Sequence, residues 1–481
     1  MDEEFPNDTE VVVIGGGPAG YAAAIRAAQL DTDVVMVERD AYGGTCLNHG
    51  CIPSKALIAA TDVADRAANG DHMGISAEPT IDLPRMMQWK DQVVTRLSRG
   101  VEHLCRQNGV TLLEGTAAFV DDDRVRMSLG EDECTIGFET AIVATGSTAV
   151  ALPELPFEEP GILDARQALS LDAVPTALAI VGAGYIGMEL AGVFAKLGSD
   201  VTVIELLGGA LPRYDDELVA PVLKRADRNG IDCYFESRVT DYRRTRDERL
   251  ELTVDGEAAP ESVAVDQVLV AVGRRPVTAT VNLEAVDLEP AEDGSIPVNQ
   301  QGQTSNPQVY AVGDVTGDPM LAHAGIAEGV ATAEVIANGH ATERPTLVPE
   351  VVFTDPEIAR VGMREVDAVN AGYTPKVSSV PLRANGRALT LDRRDGFVRL
   401  VADESSGQLL GGAIVGPHAG ELIGEIGLAI ELEATLEALE SVVHPHPTVS
   451  EAVGEAASFG LERAIHVLNS ECATGSGRVR R

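Results

Sequence analysis

Residues 11–20 read Val-Val-Val-Ile-Gly-Gly-Gly-Pro-Ala-Gly, an apolar run that leads directly into a cluster of glycines. An alanine-rich stretch follows at residues 21–29, so the segment predicts a strand, a tight turn and a helix. The next apolar run, residues 34–37, ends in Glu38, where a dinucleotide-binding fold places the acid that binds a ribose hydroxyl. A glycine pattern alone is weak evidence, but the flanking strand, helix and acid support it. The predicted nucleotide-binding residues are Gly15, Gly17, Gly20 and Glu38.

The same unit occurs a second time in the chain. Residues 179–204 again read as a strand, a glycine cluster, a helix and a strand, and Glu205 follows. Glu38 lies 23 residues after Gly15, and Glu205 lies 23 residues after Gly182. Because two accidental matches would hardly share this spacing, the duplication predicts two dinucleotide sites, one for a flavin and one for a nicotinamide, each with a pyrophosphate at a helix N-terminus. The predicted residues of the second site are Gly182, Gly184, Gly187 and Glu205.

Between the two units lies a pair of cysteines, in the stretch Gly-Gly-Thr-Cys-Leu-Asn-His-Gly-Cys-Ile-Pro-Ser-Lys at residues 43–55. Pro53 has the fixed φ and missing N–H of a first helical residue, which predicts a helix from near Ile52. The N–H groups at that helix end would favour a thiolate at Cys51. Cys46 lies in the preceding turn, where glycines let the backbone bend tightly enough for a disulfide. The segment therefore predicts a redox-active pair of cysteines.

Two other interpretations of the cysteine pair are weaker. Half of a zinc site would need a second pair, but the remaining cysteines are scattered singly. They are Cys105, Cys134, Cys233 and Cys472. A purely structural disulfide is unexpected in a chain with so few cysteines and no export signal. The sequence therefore predicts no metal site.

The composition is typical of a soluble α/β chain. Its 481 residues suggest about three domains, and 44% are hydrophobic, with 48 glycines and few aromatic residues. The first ten residues lack the basic and apolar regions of a signal peptide, and no run approaches the ~18 apolar residues of a membrane span. We therefore expect a cytoplasmic protein. The net charge of -38 would repel nucleic acid and anionic membranes, so neither is an expected partner.

Further stretches indicate how the two nucleotide units are completed. Two β-rich runs end in Gly146 and Gly273, the pattern of a strand that delivers a tight turn against a bound cofactor. The chain is then expected to return to the first unit, because a strand at residues 309–313 ends in Asp314, placed to bond a polyol chain. The alternative for Asp314 is a helix N-cap.

The last part of the chain has a different character. From about Pro345 the glycine turns thin out, strands and helices mix, and no nucleotide loop occurs. A third domain without its own cofactor usually supplies an interface. Its one chemical stretch is His-Pro-His-Pro-Thr-Val-Ser-Glu at residues 444–451, in which prolines stiffen a turn that presents imidazoles and Glu451 follows His446 by five positions. An imidazole oriented by a carboxylate is suited to act as a base at pH 7.

Taken in order, these motifs resemble a known family, the flavin-dependent disulfide reductases. The shared motifs are GGTCLNHGCIPSK, the two GxGxxG units, TAIVATG, VAVGRRP, QVYAVGDV and HPHPTVSE. The resemblance spans nearly the whole chain, and the cysteine segment is very specific. Within the family, the combination is similar to the members that oxidise dihydrolipoamide with NAD⁺.

The resemblance implies a role for each residue of the redox segment. Cys46 would be the interchange thiol that reacts with the substrate sulfur, and Cys51 would contact the flavin as the charge-transfer thiolate. Lys55, one helical turn beyond Cys51, would lie near flavin N5 and pair with Glu189. The resemblance also assigns Lys55, Gly146 and Asp314 to FAD, and Glu189 and Gly273 to NAD.

The resemblance also implies a shared active site. In dimers of this family the base comes from the other subunit, so His446 and Glu451 would act on the cysteines of the partner chain. His446 directly precedes Pro-Thr, as the family's base does, and His444 would be structural.

The implied fold is α/β, with two Rossmann-like dinucleotide-binding domains and a C-terminal α+β dimerisation domain. We place the first part of the FAD-binding domain, with the redox cysteines, at residues 1–150 and the NAD-binding domain at residues 151–275. The second part of the FAD-binding domain takes residues 276–345, and the dimerisation domain takes residues 346–470. Residues 471–481 are expected to be a disordered tail.

The implied activity is the oxidation of dihydrolipoamide by NAD⁺ in a homodimer with bound FAD. The substrate would be free dihydrolipoamide or a lipoyl-bearing protein, with 2-oxoacid dehydrogenase or glycine cleavage components as candidate partners. The alternatives are a reductase of glutathione disulfide or another low-molecular-weight disulfide, and mercuric reductase. Mercuric reductase adds a C-terminal cysteine pair, whereas here only Cys472 lies near the end. A docking subunit without activity is a further alternative, which the intact cysteines and base disfavour.

The charge balance predicts a requirement for salt. Only five of the 37 basic residues are lysines, against 75 acids, so most carboxylates cannot be paired and must cover the surface. The screening length is about 10 Å at ~0.1 M salt and about 3 Å at ~1 M, so repulsion within this acidic shell falls away only in strong brine.

We expect a protein from a salt-loving organism that loses its dimer, and with it the shared active site, when salt is removed. Thermal unfolding and sedimentation in ~0.1 M and ~3 M KCl test this, and equal stability with an intact dimer in both would contradict it.

Overall fold

The structure, a computed structural model, describes residues 6–130, 132–339 and 344–469. The helices are α1 (Pro18–Gln29), α2 (Gly44–His49), α3 (Cys51–Ala68), α4 (Leu83–Gln107), α5 (Ala165–Ala168), α6 (Tyr185–Lys196), α7 (Asp216–Arg228), α8 (Ala322–Asn338), α9 (Glu365–Asn370), α10 (Gly386–Thr390), α11 (Ala419–Glu431), α12 (Leu436–Glu440) and α13 (Glu451–Gly460). None of these helices is long and apolar enough to cross a membrane. The expected tail at residues 471–481, with Cys472, lies outside the described residues.

The strands are short and fall into five sheets. They are β1 (Asp8–Ile14), β2 (Val34–Glu38), β3 (Thr111–Glu114), β4 (Thr116–Asp121), β5 (Arg124–Leu129), β6 (Asp132–Val143), β7 (Ser147–Ala149), β8 (Ile162–Leu163), β9 (Ala177–Val181), β10 (Asp200–Ile204), β11 (Ile231–Tyr234), β12 (Arg238–Arg244), β13 (Leu250–Asp255), β14 (Ser262–Val265), β15 (Gln267–Val270), β16 (Arg274–Pro276), β17 (Val309–Ala311), β18 (Glu350–Val352), β19 (Glu357–Gly362), β20 (Pro375–Pro381), β21 (Phe397–Asp403) and β22 (Leu409–Gly416).

The first sheet is built on the apolar run that precedes the first glycine cluster. Its strand order is β3-β2-β1-β6-β5-β4, and β17 pairs with β6. β1, β2, β3, β6 and β17 run parallel, while β4 and β5 add an antiparallel edge. Helix α1 packs against α8 so closely that a Cβ on Gly329 would come within 2.3 Å of Ala19 O. Because β17 lies in this sheet, the chain comes back to the first unit after building the second.

The second nucleotide unit has a five-stranded parallel sheet in the order β11-β10-β9-β15-β8, with α6 and α7 beside it. An antiparallel sheet, β12-β13-β14, follows. The chain enters this unit after β7 and leaves it at β16, and these two strands pair antiparallel, with Ser147 opposite Pro276. The two crossing segments therefore lie side by side between the units.

The C-terminal unit is an antiparallel sheet in the order β18-β19-β22-β21-β20. Every residue of β22 is buried, because α11 packs on this strand and β19 and β21 flank it. The fold class is therefore the expected one, two parallel nucleotide-binding sheets followed by an α+β unit. The residue boundaries between the domains stay predictions.

One hydrophobic cluster joins α3, the helix that begins at Cys51, to the second nucleotide unit and to the C-terminal unit. It contains Leu57 of α3, Ile180 of β9, and Ile358 and Val415 of the C-terminal sheet, all of them 2% exposed or less. Burial of these side chains excludes water from the junction and stabilises one relative placement of the three parts. The elements that surround the cysteines are therefore held by a common core.

The redox segment agrees with the expectation at α3 and differs from it at Cys46. Helix α3 begins at Cys51, near Ile52 as expected, whereas Cys46 lies in a six-residue helix, α2, rather than in a turn. The Asn48 amide donates to three backbone carbonyls, those of residues 41, 42 and 44, which supports this extra helix. Pro53 is the third residue of α3, where a backbone N–H has no intrahelical acceptor in any case.

Candidate active site

The two glycine-rich loops have the same backbone geometry. Gly17 and Gly184, which precede α1 and α6, both have φ of -70° and ψ of -177°. A Cβ on Gly20 or Gly187 would lie 1.9 or 2.0 Å from the carbonyl oxygen of the first glycine in its loop, so helix packing requires both. A Cβ on Gly184 would meet nothing within 4 Å, and one on Gly17 would meet only a backbone carbon at 4.0 Å. Neither helix has a side-chain cap, so the first N–H groups of each helix are free to bind a ligand. These N–H groups, together with the open space at the middle glycine, suit a pyrophosphate.

The first glycine of each loop brings it against the neighbouring strand. Gly15 and Gly182 have φ of 110° and 106°, which favours glycine. A Cβ on them would lie 2.3 Å from Ala144 O and 2.4 Å from Ala271 O, respectively. Each loop is therefore tied to the strand that ends just before Gly146 or Gly273. These two glycines have positive φ and open space where a Cβ would stand, in agreement with a close approach to a ligand.

The two acids at the strand ends brace their glycine loops. Glu38 accepts hydrogen bonds from Gly16 N at 2.7 Å and Asp40 N at 2.9 Å. Glu205 accepts from Ala183 N at 2.6 Å and Leu207 N at 2.8 Å. Both acids are buried, 9% and 8% exposed. Since a carboxylate has about four acceptor positions, each acid can also accept from a ribose hydroxyl.

The two cysteines contact each other as thiols. Cys46 in α2 and Cys51 at the start of α3 are both free thiols, close enough for each to perturb the pKa of the other. Their loop lies directly on the first nucleotide loop, because a Cβ on Gly44 would come 2.6 Å from the Cα of Gly17. Among the described residues, no group of three or more His, Cys, Asp or Glu side chains could hold a metal ion.

The two thiols differ in acidity. The hydrogen bond with Cys51, together with burial, raises the pKa of Cys46 far above its usual value. The same hydrogen bond lowers the pKa of Cys51 to about 7. Burial of Cys51 opposes this lowering, and the Lys55 ammonium favours it. Above that pH the reduced pair holds a thiolate at Cys51 and a thiol at Cys46. This asymmetry matches an interchange thiol and a charge-transfer thiolate.

Lys55 reaches from the redox helix to the second nucleotide unit. Its ammonium Nζ lies 2.6 Å from Glu189 Oε2 on α6 and 4.6 Å from the centre of the Phe353 ring. Glu189 is 4% exposed, and its other oxygen accepts from Phe353 N at 2.9 Å. The expected pairing of Lys55 with Glu189 is thus present. The backbone and ring of Phe353 are a part of this arrangement that the sequence analysis missed.

Asp314 lies where the first unit meets the two crossing segments. Its Oδ2 accepts a short hydrogen bond from Ser147 Oγ and lies 3.9 Å from Arg274 Nε. A 3-10 helix spans Gly313–Thr316, and its N-cap is Val312. The N-cap alternative for Asp314 is therefore wrong, because Asp314 lies inside this helix. Glu328 on α8 holds the same turn by accepting from Gly313 N at 2.8 Å. The sequence signal that could have found Glu328 is a single acid in an otherwise apolar or small-residue stretch of α8.

His446 and Glu451 are adjacent in space. His446 Nδ1 lies 2.9 Å from Glu451 Oε1, and the imidazole side chain is 79% exposed. Burial opposes the charged form of Glu451, but the Thr448 N–H and His446 outweigh it and lower the pKa of the carboxyl. Within the described part of the chain, the His446 imidazole has no other hydrogen-bond partner, so its Nε2 faces outward. His444 differs, since its side chain is 9% exposed and lies 2.7 Å from Glu425 Oε1.

Several large apolar side chains are exposed in the C-terminal part of the chain. Val443 is 93% exposed, Leu432 69%, Leu428 61% and Ile465 81%. Apolar side chains exposed together are typical of a surface that another protein covers. Val443 adjoins the turn that carries His446, so the imidazole lies beside one of these exposed apolar side chains.

Comparison with known proteins agrees with this site. Residues 9–329 match the family model described as pyridine nucleotide-disulphide oxidoreductase, and residues 348–457 match the dimerisation domain of the same family. The chain belongs to the pyridine nucleotide-disulphide oxidoreductase family. The resemblance inferred from the motifs is thus confirmed, and the C-terminal unit is a dimerisation domain.

Relatives in this family are 40–51% identical to this chain in sequence. The chain is 51% identical to dihydrolipoyl dehydrogenase 2 of Haloarcula marismortui, with 95% of this chain and 98% of the relative covered. It is 50% identical to the dihydrolipoyl dehydrogenase of Halobacterium salinarum, covering 97% and 99%. The enzyme of that name from Geobacillus stearothermophilus is 40% identical over 97% and 99%. The first two come from halophilic archaea, in agreement with the salt adaptation expected from the charge.

Solved structures of flavoprotein disulfide reductases have the same fold. LpdA from Mycobacterium tuberculosis superposes with a TM-score of 0.88 at 28% identity, covering 93% of this chain and 99% of that one. The HOCl-induced flavoprotein disulfide reductase RclA from Escherichia coli has a TM-score of 0.83 at 27% identity, covering 93% and 99%. The open glycines, uncapped helices and paired thiols of this chain fit the flavin and nicotinamide nucleotides of the family.

The difference between the thiols gives a spectroscopic prediction. The variant Cys46→Ser keeps a Cys51 thiolate and removes the thiol that meets the substrate. We expect a long-wavelength charge-transfer absorbance in this variant without dithiol oxidation, and no band in Cys51→Ser. In the reduced wild-type enzyme the band should fade as pH falls through about 7, because protonation removes the Cys51 thiolate. A band in Cys51→Ser instead of Cys46→Ser would reverse the assignment.

Proposed function

We propose that this chain, as a homodimer with bound FAD, oxidises dihydrolipoamide to lipoamide with NAD⁺. The observation that carries the proposal is the 50% identity, over 97% of the chain, with a protein named dihydrolipoyl dehydrogenase. The unequal thiols and the exposed His446–Glu451 pair support the same chemistry. Reductases of other disulfides or of mercuric ion share this redox pair, but they are not favoured by the names of these relatives.

The substrate dithiol is oxidised in two exchange steps. A substrate thiol gives its proton to the base, and the thiolate attacks Cys46 Sγ in the Cys46–Cys51 disulfide. A substrate–Cys46 disulfide forms, and Cys51 leaves as a thiolate. The second substrate thiol loses its proton and attacks the substrate sulfur that is bonded to Cys46. The bond to Cys46 Sγ breaks, Cys46 leaves as a thiolate, and this thiolate takes up a proton. The lost electron pair then resides in the Cys46 thiol and the Cys51 thiolate.

The residues around the pair stabilise this reduced state. Lys55 holds positive charge at Cys51, and Glu189 and Phe353 hold the ammonium in place. When bound, FAD supplies a two-electron path from this dithiol to NAD⁺.

His446 of the partner subunit is the proposed base. Glu451 orients Nδ1 of its imidazole, which leaves Nε2 to take the substrate proton. His444 is engaged by Glu425, and the resulting hydrogen bond raises the pKa of His444. His444 therefore serves to fix the turn that carries His446.

The nucleotide preference follows from Glu205. Its carboxylate would accept from the ribose 2′-OH of NAD⁺ and would repel the 2′-phosphate of NADP⁺. The residues beside it, Leu206 and Leu207, are exposed apolar side chains and offer no cation to a phosphate.

The proposal extends to partners and location. The dimerisation domain supplies the second subunit, and the lipoyl group would be free or carried by a component of a 2-oxoacid dehydrogenase or glycine cleavage system. A cytoplasmic location suits an enzyme whose cysteines cycle between thiol and disulfide.

Replacing His446 tests its role as the base. Loss of such a base typically lowers the rate about 10²- to 10⁴-fold. We expect His446→Gln to lower dihydrolipoamide turnover by this factor and to leave the reduction of bound flavin by NADH unchanged, because that half-reaction needs no imidazole. Stopped-flow absorbance separates the two half-reactions. A larger effect of His444→Gln on dithiol oxidation would show that the wrong histidine has been chosen.

A steady-state substrate comparison tests the proposed activity. We expect dihydrolipoamide with NAD⁺ to give by far the highest kcat/KM, with glutathione disulfide and mercuric ion poorly reduced by NADH. NADP⁺ should be a much weaker acceptor because of Glu205. A preference for glutathione disulfide or mercuric ion would overturn the proposed substrate, and a preference for NADP⁺ would overturn the role of Glu205.

A further inference from the structure

Two ion pairs join α3 to α6, and they repeat at one spacing. The proximal pair is Lys55–Glu189, with Nζ 2.6 Å from Oε2. The distal pair is Asp62–Lys196, with Nζ 2.5 Å from Oδ1. In both pairs the α6 residue lies 134 positions after its α3 partner. The pairs are therefore seven residues apart on each helix, about two turns or ~10.5 Å along the axis.

The charges of the two pairs are reversed. On α3 the order is Lys55 then Asp62, and on α6 it is Glu189 then Lys196. A slide of one helix past the other by seven residues would bring Asp62 to Glu189 or Lys55 to Lys196, which are like charges. Interhelical charge pairs of this kind specify register in other helical contacts. The arrangement thus opposes two-turn shifts of the redox helix in either direction.

One short loop after β18 forms hydrogen bonds with both ion pairs. Phe353 N donates to Glu189 Oε1 at 2.9 Å, and two residues later Asp355 Oδ2 accepts from Lys196 Nζ at 3.3 Å. The same Asp355 oxygen accepts from Arg225 Nε at 3.1 Å and Arg393 Nη1 at 3.4 Å. The loop is therefore bound to the proximal pair at one end and to the distal pair at the other.

The distal pair lies in a charge-balanced and mostly buried cluster. Its members are three acids and three bases, Asp62, Asp65, Asp355, Lys196, Arg225 and Arg393. The Lys196 side chain is only 6% exposed. Burial opposes the charged form of Asp355, but Lys196 and the two arginines outweigh it and lower the pKa of that carboxyl. A chain that has five lysines has thus placed one of them at this interior position.

We propose that Asp62 and Lys196 are positioning residues, which fix the register of α3 against α6 and so hold the Lys55 ammonium at Cys51. The inference rests on the proposed function, since it assigns Lys55 to the redox centre. Neither Asp62 nor Lys196 touches the cysteines, and they act through the two helices and the loop at Phe353. Cys51 interacts electrostatically with Cys46, Lys55 and Glu189, and with Tyr185 at the start of α6.

A direct electrostatic effect and a positioning effect differ in sign at Asp62. If the Asp62 charge acted through space, its loss would make a thiolate at Cys51 easier to form and lower its pKa. If Asp62 positions Lys55, its loss lets the ammonium retreat and raises the pKa of Cys51. A full opposite charge nearby is worth about 1 to 3 pKa units, so a partial retreat should raise it by about 0.5 to 1 unit.

The experiment uses the FAD-bound dimer of Cys46→Ser as the parent, in ~3 M KCl, where repulsion between exposed carboxylates is screened. The charge-transfer absorbance is titrated against pH in the parent, in the parent with Asp62→Asn, and in a control with Asp227→Asn. Asp227 is an exposed acid on α7, and its replacement changes the net charge equally. We expect the apparent pKa of Cys51 to rise in Asp62→Asn and to stay unchanged in Asp227→Asn.

A second variant covers a failure of Asp62→Asn to fold. Asp62→Glu keeps the charge but lengthens the side chain, so positioning predicts a smaller rise and a direct charge effect predicts none. An unchanged or lowered pKa in the Asp62 variants, or an equal rise in the control, would overturn the inference. If the parent itself lacks the band, the assignment of the thiols in the proposed function is wrong; a parent with the band but unshifted variants defeats only the positioning role.

Discussion

A salt bridge between Lys55 and Glu189 joins the helix that carries Cys51 to the helix that begins at the second glycine loop. Glu189 is almost wholly buried, and breaking a buried pair by removing one partner costs about 3–5 kcal/mol, because an uncompensated charge remains. The pKa of Cys51 is lowered first by the hydrogen bond with Cys46 and then by the Lys55 ammonium, against burial and the Glu189 carboxylate. The Lys55–Glu189 contact therefore contributes both to the placement of the two nucleotide units and to the charge at the redox centre.

The glycines act at the points where backbone meets backbone. Gly20 and Gly187 let each helix lie on its own loop, and Gly44 lets the redox segment lie on Gly17. A side chain at any of these three positions would collide with main-chain atoms, which cannot move aside as a flexible side chain can. The segment that carries the two cysteines and the first nucleotide loop can approach each other because these positions have no side chain.

The charge of the protein is distributed unevenly. The net charge is -38, and the excess carboxylates lie at the surface, where strong brine can screen them. The partly buried cluster around Asp355 instead balances three acids with three bases, and charge in such a place is screened less by salt than charge at the surface. The dimerisation domain exposes apolar side chains such as Val443 and Leu432, whose burial in a dimer would gain free energy without adding to the repulsion between two acidic subunits. Association of such subunits can therefore depend on apolar contact once salt has screened the charge.

Local sequence was sufficient for the features that depend on residue type and short spacing. The two strand–glycine–helix units, the cysteine pair and the His446–Glu451 pair follow from backbone freedom, periodicity and short separations in the chain. The acid at 23 residues from the first glycine could be placed for the same reason. Even the net charge required only a count of residues.

The sequence did not determine contacts between residues far apart in the chain. Phe353 lies 164 residues from Glu189, and Asp355 lies 159 residues from Lys196, so neither contact has a local signal. The local sequence predicts a turn where helix α2 lies, because this helix is supported by hydrogen bonds from the Asn48 side chain. The pKa of Cys51 likewise depends on a thiol, an ammonium and the degree of burial at one point in space. Only the tertiary structure could decide these, because hydrogen bonds and charge interactions act over a few ångströms whatever the separation along the chain.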